Sequence, residues 1–131
     1  MYRYEPGSRT PIPDPEVRSM IAREARALGI ERREIGPEEI VQRCIYALVV
    51  EGARILEEGI ARRAGDIDVV WLNGYGFPRH RGGPMHYADE IGVERVYRAV
   101  CALRDRFGPM YWEVPGLLQA LGTSGGRFAD L

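Results

Sequence analysis

Between Gly65 and Asp89 the chain gathers the side chains that could do chemistry: Asp66, Asp68, Tyr75, Arg79, His80, Arg81, His86 and Asp89. Gly74-Tyr75-Gly76 invites comparison with a phosphate-cradling loop, but the third glycine of GxGxxG falls where Arg79 stands. The stretch before it also has a helical pattern, whereas such loops follow a strand. His80, His86 and Asp89 contain donor types for a metal, yet Gly82-Gly83-Pro84 interrupts them and the histidines are not an i, i+4 pair. Asp66 and Asp68 can be paired carboxylates for proton transfer or, more simply, a helix cap and a first-turn acid. No serine or cysteine sits in a nucleophile motif with a matched base. Arg79 and Arg81 remain, suited either to a phosphate, such as that of a CoA-type ligand, or to carboxylates on a partner domain.

The loop that carries them has the composition of a single specified shape. Gly74, Gly76, Gly82, Gly83, Pro78 and Pro84 restrict or release the backbone at fixed points, and Trp71, Tyr75 and Phe77 supply rigid bulk. Rigid aromatics beside arginine suit the centre of a protein interface. Trp71, Tyr75, Phe77, Pro78, Arg79 and Arg81 are therefore the interface candidates. Folding of the aromatics inward, to staple the loop to a long helix, is the competing expectation. Tyr46, Tyr75 and Tyr97 read as core or interface residues rather than catalytic acids.

Helices must position this loop. Residues 1–14 read as a proline-punctuated linker, and Asp14-Pro15-Glu16 opens a helix whose Val17, Met20, Ile21 and Leu28 share one face. Gly36-Pro37-Glu38-Glu39 opens a second helix, predicted to run to about Glu58 and stop at Gly59. Its middle, Cys44 to Val50, is apolar on every side, which predicts a central helix covered by several neighbours. Asp66 is expected to cap a short helix over 67–72, and Pro84 to start another that Gly92 ends. Val93, Val96, Tyr97, Val100, Leu103 and Phe107 mark an amphipathic helix with a Glu94–Arg98 pair on its outer face. A last short helix over 115–121 leaves GTSGGRFADL as a loop. No stretch alternates long enough for a convincing strand, so the fold class is all-α, a helical bundle around one long buried central helix.

Composition narrows the function classes. With 131 residues the chain is large enough for a hydrophobic core, and its net charge of −1 gives no long-range pull toward nucleic acid or an anionic membrane. Arginine supplies every basic side chain except two histidines. No apolar run approaches a membrane span, and the first residues lack the apolar segment of a signal peptide, so a cytoplasmic location is expected. Cys44 and Cys101 lie in helical patterns and are expected as buried thiols rather than a disulfide.

The segment EEIVQRCIYALVVEGARILEEGIARRAGDIDVVWLNGYGFPRHRGGPMHYADEIG closely resembles the C-terminal helical domain of 3-hydroxyacyl-CoA dehydrogenases. More narrowly it is similar to the last repeat of multifunctional fatty-acid β-oxidation enzymes, which also carry enoyl-CoA hydratase activity. DID, GYGFP and RGGP carry the match in order, and the likeness covers roughly residues 12–128. The resemblance implies a 6-phosphogluconate-dehydrogenase C-terminal-like fold over residues 15–128. It also implies a Rossmann domain that binds NAD and holds the catalytic His–Glu pair outside this segment, so no cofactor, metal or catalytic residue is expected in this chain. The implied partners are that Rossmann domain and a first helical repeat, with self-association of the isolated chain a further expectation. Where the first repeat of the family has an Asn-Arg pair on its long helix, this chain has Gln42-Arg43. The implied function is a non-catalytic packing domain of an NAD-dependent 3-hydroxyacyl-CoA dehydrogenase. The alternative is a free-standing module that binds an acyl-CoA or a partner protein.

Overall fold

A computed structural model describes residues 2–131, which divide into two compact units, one up to Ile35 and one over Gly36–Leu131. In the first unit two short strands, β1 (Tyr2–Arg3) and β2 (Ile12–Pro13), pair antiparallel with Tyr2 opposite Pro13. Helix α1 (Pro15–Ala27) follows, and the Asp14 carboxylate accepts from the amides of Glu16 and Val17 at 2.9 and 3.4 Å. The hairpin is too short for alternation to register in the sequence, and it leaves the all-α class unchanged.

The second unit is built on α2 (Pro37–Glu57), whose 21 residues span about 32 Å at roughly 1.5 Å each. Proline at its first turn, followed by Glu38 and Glu39, fits the missing donors and the positive pole of a helix start. Tyr46, Val49, Val50 and Ala53 recur at i, i+3, i+4, i+7 and form its buried stripe. Against this stripe pack α3 (Ala64–Gly74), α4 (Pro84–Ile91), α5 (Val93–Phe107) and α6 (Gly116–Ser124). Met85, Val96, Val100 and Leu118 complete the core with no exposed surface.

Four expectations need correction. First, α2 is covered on one side only. Cys44 is exposed, and Ile40 and Val41 keep about half their surface, because the neighbouring helices gather on the Tyr46–Ala53 side. Cys44 is therefore not a buried thiol, and it should react with an aromatic disulfide reagent in the native protein well before the half-buried Cys101 does. Equal rates for both thiols without denaturant would contradict this placement.

Second, α3 begins at Ala64, and Asp66 sits inside its first turn. There Asp66 accepts from the Arg63 amide at 3.2 Å and the Arg63 guanidinium at 3.0 Å, which holds the start of the helix. Third, Asp68 is not a solvated first-turn acid but a buried carboxylate. Fourth, the tail is structured: Phe128–Asp130 forms a 3-10 turn, and Phe128 is fully buried in the core. The Asp89 carboxylate holds that turn by accepting from the amides of Phe128 and Ala129 at 2.8 and 2.9 Å. The expected Glu94–Arg98 pair is present, at 2.5 Å.

Candidate functional site

The more open side of α2 runs through the exposed Val41, Cys44 and Glu51 and the half-buried Leu48 and Ile55, positions that follow a spacing of three and four residues. Two recesses open in series along it. Toward the C-terminal half of α2 is a groove of about 570 Å³ between α2 and α3, lined by Leu48, Ile55, Ile60, Val70, Trp71 and Tyr75. Toward the N-terminal half is a cleft of about 340 Å³, lined by Ile40, Val41, Cys44, Phe77, Pro78 and Arg81. The loop after α3 separates them and supplies a wall to each.

The loop has one shape because its own amides are used. The Phe77 amide donates to the Trp71 carbonyl at 3.0 Å, the Asn73 side-chain amide to the Val69 carbonyl at 2.9 Å, and the Arg81 amide to the Pro78 carbonyl at 2.9 Å. The rings of Trp71 and Tyr75 stand 4.8 Å apart at 41°. The two competing orientations of the aromatics are divided between residues. Phe77 is buried, Trp71 is half-buried, and Tyr75 retains 71% of its surface. Five of the six interface candidates line one recess or the other, and Arg79 stands on the same 3-10 turn as Arg81 (Arg79–Arg81). The Arg79 guanidinium donates to Asn73 Oδ1 at 3.4 Å, and Arg81 lies 5.9 Å from the ring centre of Tyr87.

The other candidate chemistries do not assemble. Asp66 is ion-paired to Arg63, whose hydrogen bond holds its carboxyl below the usual range. Asp68 points elsewhere: it accepts from the amides of Met85 and His86 at 2.8 and 3.0 Å, filling the N-terminus of α4. Burial raises its pKa, outweighing these hydrogen bonds and the nearby His86. His80 and His86 are exposed, Asp89 is used by the tail, and no group of metal-ligating side chains exists among the described residues. Gly74-Tyr75-Gly76 ends a helix instead of following a strand, and the glycine-flanked start of α4 already holds the Asp68 carboxylate. A dinucleotide phosphate fits at neither place.

Tyr46 is a core residue whose pKa is raised by burial and then by Tyr87. Tyr97 is half-buried, with its hydroxyl raised by a hydrogen bond to Cys101. Gln42 donates to Glu38 at 3.3 Å, and Arg43 pairs with Glu39 at 2.7 Å while stacking 4.1 Å from the ring centre of Phe107. Gln42 is engaged within α2, and Arg43 by α2 and the end of α5.

Asp68 and Asp89 were missed as structural residues, although one signal existed. Gly82-Gly83-Pro84 starts a helix without any capping side chain of its own, so its free amides require an acceptor from elsewhere.

Residues 40–127 match the family described as 3-hydroxyacyl-CoA dehydrogenase, C-terminal domain. The chain is 49% identical over 96 residues to the peroxisomal bifunctional enzyme of Danio rerio, covering 72% of this chain and 13% of that protein. The peroxisomal bifunctional enzyme of Homo sapiens is 47% identical over the same shares of each chain. The fatty acid oxidation complex subunit alpha of Acinetobacter baumannii (strain SDF) is 35% identical over 130 residues, 97% of this chain and 17% of that protein. The chain thus spans less than a fifth of the length of these relatives. With the matched region containing α2 almost entire, the aromatic loop and all the helices that follow, the chain belongs to the 3-hydroxyacyl-CoA dehydrogenase C-terminal domain family.

Proposed function

We propose that the chain is a non-catalytic packing domain of an NAD-dependent 3-hydroxyacyl-CoA dehydrogenase acting in fatty-acid β-oxidation, in a parent that also carries enoyl-CoA hydratase activity. The observation that carries this reading is the open apolar stripe of α2, flanked by a rigid aromatic loop, in a domain of this family. Neighbouring apolar recesses of this kind on a folded domain suit burial against another protein surface. The partners proposed are the nucleotide-binding domain and the first helical repeat of the parent. In their absence the same stripe offers the isolated chain a surface for self-association. Two unpaired thiols suit a reducing compartment, and the cytoplasm is the location proposed.

NAD belongs to the parent in this reading, and Gln42, engaged with Glu38, has no place in the reaction. The isolated chain is accordingly expected to give no heat of binding with NAD and no turnover of a 3-hydroxyacyl-CoA. Saturable micromolar binding of NAD in calorimetry would overturn the reading. A native gene product several times longer than this chain, seen by mass spectrometry, would support it, and a free-standing product that binds acyl-CoA would favour the independent module.

A further inference from the structure

We propose that the chain binds a short-chain monocarboxylate in a cleft at the start of α2, where the Tyr46 hydroxyl and the Arg95 guanidinium take its carboxylate. This cleft shares no residue with the larger recess described above and meets the smaller one only at Val41 and Tyr87.

The starting point is an unused donor. Tyr46 keeps only 2% of its surface, and its hydroxyl makes no hydrogen bond among the described residues. Where α2, α4 and α5 meet they leave a cleft of about 240 Å³ against this side chain. Its polar lining is Gln42, Tyr87 and Arg95, and its apolar lining includes Val41 and Ile91. Besides burial, the groups that act on the Tyr46 hydroxyl are Tyr87, Arg95 and Glu38, and all three border the cleft. The hydroxyl therefore faces the cleft and not the core. A buried donor without an acceptor is costly, and a ligand that brings one removes the cost.

Charge identifies the class of ligand. Glu38 Oε1 accepts from the Arg95 guanidinium and from the Gln42 side-chain amide, each at 3.3 Å. The chain's own carboxylate thus shows what the rim of the cleft selects, without bonding to Tyr46. Arg95 and Glu38 keep 61% and 75% of their side-chain surface, so the pair is weak and yields readily. A carboxylate from solution has two acceptor oxygens and no donor. One oxygen accepts from Tyr46 and the other from Arg95, while Glu38 turns to water. The first turn of α2 also borders the cleft, and its positive pole favours an anion. Val41 and Ile91 receive the hydrocarbon, and the volume keeps it short.

The test titrates the 131-residue chain with sodium butyrate, with sodium chloride at the same ionic strength, and with butyramide as the uncharged isostere. Binding is read from the Val41 and Ile91 methyl resonances and from the thermal midpoint. Butyrate is expected to shift these methyls saturably and to bind roughly tenfold or more tightly than butyramide. Tyr46→Phe is expected to weaken butyrate by about tenfold without lowering the midpoint of the unliganded chain, because the lost hydroxyl had no partner. Glu38→Gln removes the competing carboxylate and is expected to tighten butyrate. Methyl shifts that chloride reproduces, or butyrate affinity unchanged in Tyr46→Phe, would mean an adventitious anion only and overturn the site. A lower unliganded midpoint for Tyr46→Phe would show that the hydroxyl already has a partner, and would overturn it too. The packing-domain reading stands on the other recesses and is untouched by either result.

Discussion

Replacing Phe128 with alanine is expected to lower stability by about 3–5 kcal/mol, the usual cost of removing a fully buried aromatic ring. The ring lies in the core at 1% exposure, close to the end of the chain. Its position depends on Asp89, which accepts from the Phe128 and Ala129 amides, so Asp89→Ala should reproduce part of the loss by leaving both donors without a partner. Phe128→Leu, which refills most of the volume, should cost much less. Thermal and urea unfolding of the three variants would measure this. A Phe128→Ala midpoint indistinguishable from that of the parent chain would mean that the tail is not part of the core.

The second large effect is expected at Gly83. This residue has φ 106°, and a Cβ there would fall on the carboxyl group of Asp68. Gly83→Ala therefore combines backbone strain with the displacement of a buried carboxylate, and should cost on the order of 2–5 kcal/mol. Asp68→Ala removes the same carboxylate without the strain. It leaves the Met85 and His86 amides unpaired and should cost roughly 2–4 kcal/mol. The two substitutions act on one contact, so the double variant should be less destabilised than the sum of the singles. Strict additivity would show that the Gly83 effect does not pass through Asp68.

Asp68 also leaves a mark on the pH dependence. Its pKa is raised in the folded chain, chiefly by burial, above an unfolded value of about 3.9. The folded chain therefore binds this proton more tightly than the unfolded chain does. The resulting stabilisation is fully present below the unfolded pKa and is lost as pH rises through the raised folded value. Asp68→Asn should remove that component, so the stability of the unsubstituted chain relative to this variant should fall as pH rises above the ordinary carboxylate value and through the raised folded one.

What could be read from the sequence follows from how local each cause is. Helix α2 was legible from Pro37 to its end because caps, first-turn acids and an apolar middle all lie within the element. The stiff loop was legible because Gly74, Gly76, Pro78 and Pro84 constrain the backbone wherever they occur. The open side of α2 was not legible, since an all-apolar run gives no sign of which face lacks a neighbour. Asp68 and Asp89 each act on a helical turn 17 to 40 residues away, a distance at which spacing carries no message. Phe128, isolated in a glycine-rich tail, belongs to no periodic pattern. Of the interface candidates, their clustering about α2 was legible, while the division between the buried Phe77 and the exposed Tyr75 depended on the loop closing on Trp71.

The two aspartate caps have a consequence for the order in which the unit can form. Asp68, on α3, closes the start of α4, and Asp89, on α4, closes the tail turn. Each latch needs the preceding element in place, so they form a relay in which α3 precedes α4 and α4 precedes the tail. Opening runs the other way: release of the tail turn is the first step and freeing the start of α4 a later one. Amide hydrogens of Phe128 and Ala129 should therefore exchange in an early sub-global opening, and those of Met85 and His86 only in a larger one. The tail turn is thus the outer of the two fastenings, and its Phe128 ring ties it to the same core that the inner one serves.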